Sequence, residues 1–219
     1  MAKVKDFMSG LTHCIGATLS LAGLVILIIF SAIKGDAFDV VSFSLYGTSL
    51  FLTYLFSTLY HWLNIKEKGL RFFKKFNNIL VYVLIATSYT TICLGPLRGS
   101  WGWSIFGVIW GISIVGIVFS SIWVKIPKAA SIPINISIAC ITLITLIPFI
   151  TVYKNSNLLY SLWYIIISSI LYAIGVIIDY FKLPKTNFKQ FDYHAISHII
   201  VMLGSICQYW FILNYITII

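Results

Sequence analysis

Charge is what this sequence has least of. Only six of its 219 residues are acidic, and Asp, Glu, Lys and Arg together make up 10% of the chain; a soluble domain carries about a quarter. With 60% of the residues hydrophobic, an ordinary water-soluble fold is excluded. Cysteine is sparse as well: Cys14, Cys93, Cys140 and Cys207 stand singly within or at the edge of apolar segments. No CxxC spacing occurs, which speaks against a disulfide framework and for small apolar residues. The 15 Lys and Arg give a formal net charge of +9. They form no basic-aromatic stripe within a span, so nucleic acid is not an expected partner. Internal repeats and long polar linkers are also missing, and residues 1–219 read as a single domain.

What is there is apolar sequence, in runs long enough to cross a bilayer at about 20 residues each. Seven candidate spans fall at 13–33, 40–63, 77–95, 102–124, 131–152, 158–180 and 193–216. The runs are continuous rather than alternating, and lipid leaves no backbone group unpaired, so they predict helices. The first, Cys14 to Ile33, is too long for a signal-peptide core and reads as a retained span. The expected fold class is an all-α membrane protein, a seven-transmembrane helix bundle. A cytoplasmic N-terminus puts twelve basic residues inside: Lys3, Lys5, Lys66, Lys68, Arg71, Lys74, Lys75, Lys125, Lys128, Lys182, Lys185 and Lys189. Only Lys34, Arg98 and Lys154 fall outside. That bias predicts the N-terminus in the cytoplasm and the C-terminus outside, with the basic residues facing anionic headgroups. Trp62, Trp101, Trp103 and Trp123, at span ends, fit an interfacial belt. Gly107, Gly111 and Gly116 read as sites of close helix packing.

Histidine is rare too, at four residues, but its placement carries information. His194 and His198 are one helical turn apart on one face. The charge count puts them at the cytoplasmic end of the seventh span and His61 at the cytoplasmic end of the second. Three imidazoles at one depth suit a metal site with an open position. Zinc is the expected ion, although imidazole also serves iron and copper, and a zinc-bound water has a pKa of about 7. Ser57 lies one turn before His61 on the same face. It either meets an oxyanion or bonds its own helix carbonyl. His13 reads as an interfacial or hydrogen-bonded residue. Asp192 reads as a helix-start residue, and Asp179 as facing headgroups or a lysine.

Three sequence blocks carry a family resemblance. They are Ser57-Thr58-Leu59-Tyr60-His61, the run FKKFNNILVYVLIATSYTT at 73–91, and FDYHAISHIIVMLGSICQYW at 191–210; Thr12-His13 adds to them. In these blocks the chain resembles the hemolysin III family, the bacterial branch of the progestin and adipoQ receptor family. The resemblance spans essentially the whole chain. It implies seven spans in a bacterial cell membrane and zinc held by His61, His194 and His198. The chain departs from the pattern at Asn77, where the family has Asp, at Asn78 and Gln208, where it has His, and at Ala195, where it has Glu. Asn cannot take up a proton at neutral pH, though it can orient water. Ser57 and Asn77 are the candidate catalytic residues.

The resemblance reaches intramembrane metal hydrolases, ceramide-cleaving ones among them. It therefore implies a zinc-dependent hydrolase acting on a lipid amide or ester, or a role in membrane lipid homeostasis, with membrane lipid as substrate or ligand. The alternative is a non-catalytic membrane sensor or regulator with structural zinc, which Asn77 favours. A transporter is less favoured, because no charged residue falls in mid-span. A pore-forming cytolysin fits poorly with many integral spans. The sequence sets neither the substrate nor the oligomeric state.

Overall fold

The computed structural model describes residues 7–183 and 193–218, apart from the side chains of Lys128 and Ile132. Lys3, Lys5, Lys185, Lys189 and Asp192 lie outside the described residues. The elements are α1 Phe7–Lys34, α2 Ala37–Trp62, α3 Glu67–Leu94, α4 Ser100–Ile122, α5 Lys128–Tyr153, α6 Leu158–Phe181 and α7 Tyr193–Ile218. All seven are long and apolar enough to cross a membrane.

Local chemistry explains where several of them begin and end. α2 opens on a reciprocal cap. Asp36 accepts from the backbone N–H groups of Phe38 and Asp39, at 2.9 and 3.2 Å, and Asp39 accepts from that of Asp36 at 3.2 Å. This satisfies donors that a first turn leaves open. Lys75 donates to the Ser121 and Ile122 carbonyls, at 2.8 and 2.9 Å, where the end of α4 favours a cation. α3 starts at Glu67, ten residues before the expected span. Its leading turns are charged, with Arg71 paired to Glu67 at 3.0 Å. The apolar run marks only the part of a helix that needs lipid.

Each helix packs on the next in sequence, and α7 packs back on α1, so the bundle closes as a ring. Within their apolar windows α2 and α3 are 50% and 61% buried, against 28% or less for the other five; these two are the inner helices. The outer faces present large apolar side chains such as Ile29, Val115, Ile147 and Val176, the arrangement that lipid demands. The inside is rich in small hydroxyls. Ser49 and Thr87 join α2 to α3 at 2.6 Å. Tyr54 and Tyr172 both donate to Ser205 Oγ, at 2.9 and 3.1 Å, which ties α2 and α6 to α7.

Some details differ from the sequence expectations. Gly116 does serve packing, since a Cβ there would fall 2.5 Å from the Tyr82 ring, but Gly107 and Gly111 face open space. Trp101, Trp103 and Trp123 are exposed at span ends. Trp62 instead turns onto α1, stacking on Phe7 and donating to its carbonyl at 3.4 Å. The four cysteines are free, with Cys93 buried and Cys140 exposed.

The end of the bundle where α1 meets α2 and α3 meets α4 is pinned by charge. Arg98 donates to both carboxylate oxygens of Asp36, to Oδ1 at 3.1 Å, and lies over the Phe38 ring. The guanidinium holds the Asp36 carboxyl below its ordinary range, and the carboxylate holds Arg98 more firmly protonated. At the same end Lys34 donates to the Thr217 carbonyl at 3.0 Å, joining α1 to α7.

Candidate metal centre

The opposite end gathers the histidines. His61 lies in the last turn of α2, His194 and His198 in the first turns of α7, and His13 near the start of α1. Because the helices alternate in direction, these positions share one level. The rings meet. His13 stacks on His61 with centroids 5.5 Å apart and meets His198 edge-on at 4.2 Å. His61 lies 5.6 Å from His194 and 5.8 Å from His198. Nε2 of His194 is 3.1 Å from Nε2 of His198.

One ligand nitrogen each from His13, His61 and His198 lies within 4.8 Å of the other two. His61 and His198 therefore belong both to this set and to the trio expected from sequence. His194 borders the set through His198. Zinc–imidazole bonds of about 2.0–2.1 Å place tetrahedral ligand atoms about 3.4 Å apart, close to the His194–His198 separation. An all-imidazole donor set is one that zinc accepts readily, so the residues fit the ion.

His13 and His61 are buried, 6% and 7% exposed. An imidazole at membrane depth needs partners, and other imidazoles are among the rings these two meet. Glycine creates the approach that brings His13 in. A Cβ on Gly10 would fall 2.0 Å from the Trp62 ring nitrogen, and one on Gly16 would fall 2.9 Å from the Tyr54 ring. Both contacts are with α2, and His13 sits midway between the two glycines on the same face. The spacing Gly10-x-x-His13-x-x-Gly16 was the signal in the sequence that His13 points inward rather than at the interface.

Asp179 lies within electrostatic reach of Lys74 and Lys182, as its expected place near a lysine requires, and it also meets His194. Its Oδ1 is 2.9 Å from Nδ1 of His194. A carboxylate only accepts, so Nδ1 donates and the tautomer leaves the Nε2 lone pair directed toward His198. Carboxylates in this position orient metal-ligating histidines.

Ser57 lies one turn before His61 and is buried. Its hydroxyl donates to Oδ1 of Asn77 at 2.8 Å, not to its own helix carbonyl. That bond commits the Ser57 proton. The donor this pair can offer a developing charge is the Asn77 amide. Asn78 turns away and donates to the Val124 carbonyl at 3.2 Å. Ala195 is fully buried.

Comparison with known proteins gives a consistent match. Residues 1–209 match the family model described as Haemolysin-III related. The protein named Hemolysin-3 from Bacillus cereus is 35% identical over 213 residues, which cover 97% of this chain and 92% of that protein. A Hemolysin-3 homolog from Bacillus subtilis (strain 168) is 34% identical over 211 residues, 96% of this chain and 94% of that protein.

Proposed function

This chain belongs to the haemolysin III family, and from that membership and the histidine cluster we propose an integral membrane zinc protein that hydrolyses a lipid amide or ester. The observation that carries the reading is the convergence of imidazoles from α1, α2 and α7 with a carboxylate from α6 behind one of them. Aromatic packing alone gives no reason for a carboxylate to fix the tautomer of His194.

His61, His194 and His198 hold the ion in this reading. Zinc bound there supplies Lewis acidity toward a carbonyl oxygen and toward water. Asp179 keeps His194 in the tautomer that exposes Nε2. Asn77, positioned by Ser57, contributes an amide donor one turn further into the bundle. The Lys and Arg bias supports a cytoplasmic position for this end in a bacterial cell membrane, and the lipid substrate of this reading would enter from the bilayer.

A second reading rests on Asn77 itself: a membrane sensor or regulator with structural zinc and no turnover. Among the described residues no carboxylate is bonded to Ser57 to act as a base, and its bond to Asn77 holds an amide that cannot take up a proton.

The test is metal content and hydrolysis across a panel of lipid amides and esters, for the natural chain, Asn77→Asp and His198→Ala in lipid nanodiscs. The hydrolase reading expects about one zinc per chain and turnover, both lost in His198→Ala. Zinc without turnover in the natural chain selects the sensor reading. Turnover that appears only in Asn77→Asp marks a lapsed enzyme with a retained metal site. A natural chain without bound metal refutes both.

A further inference from the structure

We propose that His13 is a fourth ligand of this metal centre and fills the position a catalytic site keeps open. The inference rests on the zinc reading above and assigns a role to a residue outside the expected trio. Three observations carry it. His13 supplies one of the three ligand nitrogens that lie within 4.8 Å of one another. Its ring is in contact range of both His61 and His198, at 5.5 and 4.2 Å between centroids. Gly10 and Gly16 bring α1 so close to α2 that no larger residue fits against Trp62 and Tyr54 without a shift. Glycine in a helix interior costs about 0.5–1 kcal/mol relative to alanine, and here two such residues bracket His13.

The consequence concerns access. Four protein ligands close a tetrahedral zinc sphere, which is the structural kind, and three leave it open. With His13 bound the centre is closed. It opens when His13 leaves, through rotation of its side chain or displacement of the start of α1. Residues outside the trio thus set whether substrate reaches the ion.

The experiment uses the full chain in nanodiscs, loaded with Co²⁺ as a spectroscopic probe. The natural protein is expected to show a four-coordinate spectrum that does not change on adding azide. In His13→Ala, chelator competition should show metal affinity reduced by more than about a hundredfold, beyond what residues outside the ligand set command. Azide should now shift the spectrum, and added imidazole should restore the natural one, which also shows that the variant is folded. Unchanged affinity and spectrum in His13→Ala overturn the inference while leaving the zinc reading intact. An azide response in the natural protein overturns it without any variant. A natural chain that binds neither cobalt nor zinc overturns both together.

Discussion

Removing the Asp179 carboxylate should weaken metal binding far more than it weakens the fold. The structure fixes the scale of each effect. The Asp179 and His194 side chains are 53% and 34% exposed, and an exposed pair of this kind contributes about 1 kcal/mol or less to folding. For a chain of about 200 residues that is a melting shift of roughly 2–4 °C. Orientation of a metal ligand is worth more. Loss of a carboxylate behind a ligating histidine lowers metal affinity about 10–100-fold, or about 1.4–2.7 kcal/mol, because the Nδ1–H loses its acceptor and the ring is free to turn. Asp179→Ala in nanodiscs should therefore show that loss in zinc competition against a calibrated chelator. With excess chelator its melting temperature should lie within about 4 °C of the natural protein's. Asp179→Asn keeps an acceptor oxygen and should fall between. If Asp179→Ala binds zinc as tightly as the natural chain while His194→Ala does not, the carboxylate has no orienting role. If the melting temperature drops equally with and without metal, the pair is structural.

Two further outcomes concern the rest of the bundle. Asp36 is held below its ordinary value of 3.8, first by its hydrogen bond from Arg98, so its folded pKa is the lower of the two. Its contribution is fully present above about pH 4 and disappears as pH falls through the lowered value; melting temperature should drop on that acid limb, and Asp36→Asn should flatten the drop. Equal acid slopes in the two proteins would dismiss the pairing as a source of stability. Gly102 is a steric test: a Cβ there would fall 2.3 Å from the Cys93 carbonyl oxygen and 2.4 Å from that of Leu97, both backbone atoms that yield little. Gly102→Ala should cost about 3 kcal/mol, some 6–12 °C of melting temperature, whereas Gly107→Ala, facing open space, should raise it slightly. Similar melting temperatures for the two variants would refute the packing argument.

The seven helices were legible because lipid imposes one strong rule: apolar length with closed backbone hydrogen bonding. Helix starts were less so. The charge-bearing turns from Glu67 to Lys75 continue α3 beyond the apolar run, because a helix does not end where its lipid contact ends. The level of the histidines was readable from Lys and Arg alone, since alternation of direction follows from the count of spans. Their lateral arrangement was not, because spacing along a chain says nothing about which helices share a wall. His13 was expected to be interfacial or hydrogen-bonded; the structure buries it against His61 and His198, and its flanking glycines mark that helix contact. Asp179 reaches His194 from another helix, and no local pattern encodes such a meeting. The Ser57–Asn77 bond is likewise a contact between α2 and α3, visible only after folding.

The closure of the ring by α1 and α7 has a consequence for how the protein is made. His13 leaves the ribosome well before His198, with five helices between α1 and α7. Helices insert into a bilayer before they assemble, so the imidazoles of the early helices wait in lipid until the final one arrives. The histidine cluster is thus complete only once α7 is in place. A chain that stalls before α7 contributes at most two of the four rings, so the cluster reports that α7 has been inserted.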